Sequence, residues 1–294
     1  MKRFVRIVLV CLLLAGAGAT LLSVSHRALY RDRTQNKTHS LTILTYNTHR
    51  MGMFKKANQN EVIHYLQQVE ADVLCLQEVE VYKDSRYLTL PELKQAMAKH
   101  YPYTYFDFKV YNSRRQFGNV VFSRYPLINK QTLRYDSRSN ISSRCDIVIK
   151  GDTLRLITNH LESYRLKEQD FDSIKAHPLL PTTPLREKIW SSSRQRWRQA
   201  RLVHRAAAAS PYPVLVVGDM NAIPVSLTYL TLRLGLRDAF LSTSNLRLGN
   251  TFKRGQWRVR IDYILHSNQL AATACQVEQV TASDHLPVKA TLVW

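Results

Sequence analysis

The chain is poor in cysteine and poor in acidic residues, and each shortage narrows what it can be. It carries four cysteines in 294 residues. Cys11 sits among large residues of an apolar N-terminal run, too early to be a lipid-modified cysteine after cleavage. That leaves Cys75, Cys145 and Cys275, an odd number without C-x-x-C spacing, which argues against both a disulfide framework and a zinc site. Buried or unpaired thiols are the plain reading, with Cys75 of "DVLCLQ" in the core. Internal repeats, low-complexity tracts and a second-domain linker are also missing. Asp and Glu number 22 against 42 Lys and Arg, a formal net charge of +20. Such an excess concentrates polyanions such as nucleic acid, phospholipid head groups or other phosphates, although a generally basic exported protein needs no such partner. Hydrophobic residues make up 45% of the chain, enough for a substantial core.

The N-terminus "MKRFVRIVLVCLLLAGAGATLLSVSHR" sets Lys2, Arg3 and Arg6 ahead of an apolar run from Ile7 to about Val24, the pattern of an export signal. Ala15-Gly16-Ala17 and Ala17-Gly18-Ala19 suit cleavage, while the length of the run suits an uncleaved anchor. Residues 1–24 are therefore expected to be a signal peptide or a membrane anchor, the latter associating through residues 7–24. An N-terminal element of the fold is the third option. In the first two cases the protein works outside the cytoplasm, secreted, periplasmic or anchored. Residues 25–40 are polar, basic and aperiodic, a linker, and the folded domain is expected over 41–294.

Along that domain, "LTILTYN" reads as a strand ending at Asn47. Val62, Ile63, Leu66 and Val69 have helical spacing and lead into a strand from Val73 that ends at Gln77 and Glu78. A helix follows from about Pro91 to Lys99. Strand-like runs recur at "TYFDFKV", "GNVVFSRYPL", "CDIVIKGDTLRLITNHLE", "PVLVVGDMN", "RIDYILHS" and "HLPVKATLVW", with a hairpin at Gly151-Asp152. A segment from His177 to Arg205 holds prolines and then a helix with Arg194, Arg198, Arg201 and Arg205 on one side, a spacing that most often makes a solvated face. Many strands with fewer helices predict an α+β fold, an α/β sandwich of two packed mixed β-sheets flanked by helices.

Polar side chains recur where the apolar runs stop: Asn47, Glu78, His160, Asp219 with Asn221, Asp262, and Asp284 with His285. Strand termini form the rim of a sandwich, so these groups can converge on one site. Each alone has a bland explanation: "GDMN" as a turn, Glu78 as a surface acid, His160 as a hydrogen-bonded core histidine. Their order and shared location outweigh it. An extended backbone would put Asp219 and Asn221 on one side of the strand.

In order, "LTYNTH", "LQEV", "GNVVFSRYPL", "TNHLES", "GDMNAIP", "RIDYILHS" and "SDHLPV" resemble the motif series of the endonuclease/exonuclease/phosphatase superfamily from about Leu41 to Trp294. The resemblance implies a deoxyribonuclease-like fold and magnesium-dependent hydrolysis of phosphate esters with water as nucleophile, manganese being the alternative ion. Carried over by motif, Asn47, Glu78 and Asp284 would sit at the metal. Asp219 and Asn221 would orient the attacking water and hold the phosphate, His285 paired with Asp262 would act as acid or base, and His160 would stand opposite. Magnesium's preference for oxygen ligands suits these residue types. An aspartate behind a histidine fixes its tautomer and favours its protonated form.

Within the superfamily, a histidine in the "TNHLES" motif resembles the deoxyribonuclease, sphingomyelinase, deadenylase and inositol-phosphatase branches rather than abasic-site repair endonucleases. The basic charge and Arg114-Arg115 lean the expected substrate toward DNA or RNA. A phospholipid or sphingomyelin, or a small phosphate ester, is the alternative. A non-catalytic polyanion-binding module is the reading of another class. No protein partner is inferable.

Overall fold

The computed structural model describes residues 37–53, 55–112, 114–176, 182–243 and 248–294. The expected signal or anchor, and residues 25–36 of the expected linker, lie outside these residues. Among the described residues no helix is long and apolar enough to cross a membrane. The fold reaches slightly into the expected linker: Ser40 begins the first strand, and His39 stacks on Trp294 at 5.7 Å.

In chain order the strands are β1 Ser40–Asn47, β2 Val73–Tyr82, β3 Tyr103–Asn112, β4 Arg115–Ser123, β5 Leu127–Leu133, β6 Ile141–Ile149 and β7 Asp152–His160. They continue with β8 Val214–Asp219, β9 Leu236–Asp238, β10 Phe252–Arg254, β11 Trp257–Val259, β12 Asp262–Ser267, β13 Ala271–Val277 and β14 Val288–Val293. The helices are α1 His49–Met53, α2 Glu61–Gln68, α3 Leu90–Ala98, α4 Glu168–Ala176, α5 Thr183–Ala208, α6 Leu227–Arg233 and α7 Ala239–Thr243. One six-stranded sheet has the order β13-β14-β1-β2-β4-β3 and the other β5-β6-β7-β8-β12-β9, with β10 and β11 a separate ribbon. Each is mixed, because β1 and β2 run parallel in the first and β7 and β8 in the second. The α/β sandwich expected from the sequence is the fold observed.

Three apolar layers hold it together. Leu41, Ile43, Val73 and Cys75 of one sheet meet Leu154, Leu156, Leu215 and Val217 of the other between the sheets. Leu44, Tyr46, Leu74 and Leu76 face the opposite way, toward α2 and α3. Val214, Val216 and Leu265 do the same beneath α5 and α6. Central strands buried on both faces explain why their sequences are nearly continuous apolar runs. The helices start at built caps: Asn60 accepts from the Val62 and Ile63 N–H groups, and Thr89 forms a capping box with Glu92. The expected hairpin closes β6 to β7, Ile149 pairing with Asp152 across Lys150 and Gly151, both at positive φ.

The period of two carries polar groups toward one end of the inter-sheet layer. Along β1 the inward series is Leu41, Ile43, Thr45, Asn47; along β2 it is Val73, Cys75, Gln77; along β7 it is Leu154, Leu156, Thr158, His160. On β8 Leu215 and Val217 lead to Asp219, and on β12 Ile264 leads back to Asp262. The apolar layer thus turns polar at one rim. Gln77 hydrogen-bonds Thr45 at 3.3 Å and Thr158 at 3.3 Å, satisfying buried polar groups beneath that rim.

Candidate active site

Strand register brings the rim residues together. His160 pairs with Asp219 across the parallel β7–β8 ladder, and Asp219 with Asp262 across β8–β12. Gly218 permits the close approach: its φ is +125°, and a Cβ there would lie 2.1 Å from the Asn159 carbonyl oxygen. Asp219 is the hub. Its Oδ2 accepts from Asn47 Nδ2 at 3.0 Å and Asn221 Nδ2 at 3.1 Å, and lies 3.9 Å from His160 Nε2 and 3.8 Å from His285 Nε2.

Two details differ from the sequence reading. The strand carrying Glu78 does not end there but continues to Tyr82; a bulge between Leu76 and Val79 holds Glu78 at φ +55° and re-aims its side chain. Nor do Asp219 and Asn221 share a side because the chain is extended. Asn221 sits at φ +48°, and its backbone N–H donates to Asp219 Oδ1 at 2.8 Å, so a tight turn folds it back.

The remaining predicted groups line the same cleft or its floor. Asn47 Nδ2 also donates to Glu78 Oε1 at 3.2 Å, while its side-chain Oδ1 accepts the His49 N–H at 3.1 Å. Asn47 therefore presents amide N–H groups to both carboxylates. His160 Nε2 stands 3.5 Å from Glu78 Oε1. Asp262 Oδ2 and His285 Nδ1 are 2.9 Å apart, both residues buried. Ser283 Oγ accepts the His285 N–H at 3.1 Å and donates to the Asn47 carbonyl at 2.9 Å, tying the "SDH" turn to β1. Asp284 Oδ1 lies 3.2 Å from His49 Nδ1. His49 escaped the sequence reading although it stands two residues beyond Asn47. It opens α1, whose first three residues, His49, Arg50 and Met51, all lie at φ between 44° and 62°. Backbone strain of this kind gathers at functional sites. Asn60 anchors the turn by donating to the Met51 carbonyl at 2.7 Å.

The charges are arranged asymmetrically. Burial and then the neighbouring Asp262 push Asp219 up to about 6, against the pull of His285 and His160. Burial opposes the charged form of His285, but the charges of Asp262 and Asp219 and the hydrogen bond it donates to Asp262 outweigh it and raise the imidazole to about 10. The two carboxylates thus favour the imidazolium form of His285. The hydrogen bond to Asp284 raises His49 above its ordinary value; Asp284 is held below the usual range, despite its burial, by His49 and His285.

A sequence model of the Endonuclease/Exonuclease/phosphatase family matches residues 44–285, the span that contains every one of these groups.

The chain belongs to that family.

Members of the Endonuclease/Exonuclease/phosphatase family are phosphoester hydrolases dependent on divalent metal. Among solved structures, the endonuclease/exonuclease/phosphatase from Beutenbergia cavernae DSM 12333 is similar at TM-score 0.66 and 18% identity, over 87% of this chain and 72% of that one. Truncated Caenorhabditis elegans TDP2 is similar at TM-score 0.59 and 18% identity, over 88% and 99%. Sphingomyelinase C from Streptomyces griseocarneus is similar at TM-score 0.57 and 19% identity, over 86% and 99%. No curated protein matches. At these identities the likeness is one of fold.

Two carboxylates of the site are partly open to the cleft. Glu78 and Asp284 side chains are 24% and 32% exposed, whereas Asp219 and Asp262 are buried. Among the described residues, Asp219, Asp262 and His285 also form a group whose ligand atoms lie within 4.8 Å of one another and could hold a metal ion. Asp262 Oδ1 is buried without a hydrogen-bond partner. The cleft has a volume of about 590 Å³. Its floor is the polar cluster, but one wall is apolar, built from Leu166, Phe171, Ile174, Phe252, Trp257 and Val259, with the Phe171 and Trp257 rings 5.9 Å apart. Arg196 holds the start of that wall, its guanidinium 4.0 Å from the Tyr164 ring centroid and donating to the Glu162 carbonyl. A smaller lobe of about 190 Å³ beside Glu78 and His160 is lined by Arg50, Arg115 and Arg165. Arg115 and Arg165 pair there with Glu80 and Glu162.

Proposed function

We propose that the protein is a divalent-metal-dependent phosphodiester hydrolase in which Asp219 prepares the attacking water and His285 receives the charge that builds on the phosphate. The observation that carries this reading is the placement of His285 between Asp262, at 2.9 Å, and Asp219, at 3.8 Å, which favours its protonated form. A histidine already protonated, oriented by a buried carboxylate, serves as acid and electrostatic stabiliser. Asp219 supplies the complementary base, because a carboxylate raised toward neutrality accepts a proton from water more readily than an ordinary one. Asn221 fixes its orientation. His160, beside Glu78 and Asp219, supports the phosphate from the opposite side.

Glu78 and Asp284, oxygen donors partly open to the cleft, fit a hard divalent ion, magnesium or manganese. That ion would neutralise phosphate charge and favour ionisation of water. Asp219, Asp262 and His285 form a second candidate group, buried beneath the cleft. Asn47 orients Glu78 and Asp219 through its amide group.

For the substrate, the apolar wall favours a phosphodiester that bears an apolar substituent. The sequence leaned toward nucleic acid, and the arginine-lined lobe supports that second reading. Turnover with added magnesium or a chelator, on plasmid DNA, RNA, phospholipid vesicles and bis(p-nitrophenyl) phosphate, tests both. Metal-dependent cleavage of the soluble diester is the expected result. No cleavage of any diester would overturn the assignment.

A further inference from the structure

The apolar wall of the cleft continues onto the outer surface. Ile223 lines the cleft, is 44% exposed, and opens a run of aliphatic side chains facing solvent: Val225 at 79%, Leu227 at 70%, Leu230 at 49% and Leu234 at 60%. The short α6 explains the arrangement. Thr228, Tyr229 and Leu232 occupy its inner face, so Leu227 and Leu230, with Leu234 just beyond, fall on the outer one. Single exposed aliphatics are ordinary, but a contiguous apolar patch marks an interaction surface.

The adjacent α5 adds tryptophan and positive charge. Trp197, 36% exposed, donates its indole N–H to Thr231 Oγ1 of α6 at 3.1 Å, and the Arg201 guanidinium lies 5.2 Å from its ring centroid. Trp190 is 73% exposed one heptad earlier on the same stripe. Arg194 and Arg198 are exposed between and beside them. No acidic residue occurs between Glu187 and Asp219 or between Asp219 and Asp238, although these stretches supply the whole ledge.

We propose that this ledge docks the protein on an anionic lipid bilayer and turns the cleft mouth toward it; that the phosphodiester cleaved belongs to a membrane lipid rests, in addition, on the hydrolase reading above. Exposed aliphatics enter the acyl boundary, indole rings sit at head-group level, and arginines attract anionic head groups. Ile223, shared by ledge and cleft, joins the two apolar surfaces. A nucleic acid would engage the arginines and leave the aliphatics uncovered.

The test is hydrogen exchange across residues 222–235 in the full chain, a readout local to the ledge and separate from any contribution of the apolar N-terminus. Phosphatidylglycerol vesicles should slow exchange there, and Val225→Asp with Leu230→Asp should abolish the slowing. The same double variant should lower turnover of vesicle-borne phospholipid about tenfold or more while leaving bis(p-nitrophenyl) phosphate turnover unchanged. Unchanged exchange with vesicles would overturn the proposal. So would equal protection by plasmid DNA, or protection that rises with protein concentration alone, which would make the ledge a contact between copies. If vesicles protect the ledge but the soluble diester is never cleaved, the docking stands and the hydrolase reading fails.

Discussion

The floor of the cleft and the ledge beside it invert the usual distribution of polarity in opposite ways. The floor buries Asn47, His160, Asp219, Asp262 and His285, each held by at least one polar neighbour within 4 Å. The ledge exposes Val225, Leu227, Leu230 and Leu234 on elements whose other faces are already packed. Buried polar groups cost free energy unless paired, and exposed aliphatic runs forgo burial they could have had. A fold tolerates such costs where the groups do something else. The floor is built to hold charge still; the ledge is built to be covered from outside.

That contrast predicts unequal tolerance to substitution. Gly218→Ala should have the largest effect, because its Cβ would collide with the β7 backbone at a residue held at positive φ. We expect a loss of about 3 kcal/mol or more in urea unfolding. A near-wild-type midpoint would mean that β7 and β8 are not locked as described. His285→Ala should lower kcat by at least about a hundredfold, and it should also lower the thermal midpoint, because the buried Asp262 loses its partner. Asp262→Asn should act through His285: without the carboxylate charge the imidazolium is less favoured, so the alkaline limb of the pH–rate profile should move to lower pH. A limb that stays in place would detach Asp262 from His285. At the other extreme, Leu227→Asp should change unfolding free energy by no more than about 0.5 kcal/mol, since the side chain already faces solvent. A larger loss would make the ledge part of the core and remove its contrast with the floor.

The sequence made the floor legible and left the ledge unread, for physical reasons. Buried central strands are continuous apolar runs, and the polar residues that stop them stand out, which is how Asn47, Glu78, His160, Asp219 and Asp262 were found. The edge strands β5 and β13 escaped because each exposes several of its residues and no apolar alternation marks them. The bulge at Glu78 and the folded-back Asn221 were hidden because a positive φ at a non-glycine residue is imposed by the surrounding fold. His49 was missed since its partner, Asp284, lies at the far end of the chain. The ledge went unread because Leu227, Leu230 and Leu234 have the spacing of an ordinary buried helix face. Only the packing reveals that Tyr229 and Leu232 fill that role instead. The arginines of α5 were read as a solvated face, and Arg194, Arg198, Arg201 and Arg205 are indeed exposed.

The most direct test of the central claim is the turnover of bis(p-nitrophenyl) phosphate by the wild type, Glu78→Ala and His285→Ala, each with magnesium and with a chelator. The wild type should hydrolyse the diester only when metal is present, and either variant at least about a hundredfold less. Hydrolysis that survives the chelator and both substitutions would place the chemistry somewhere other than this cleft.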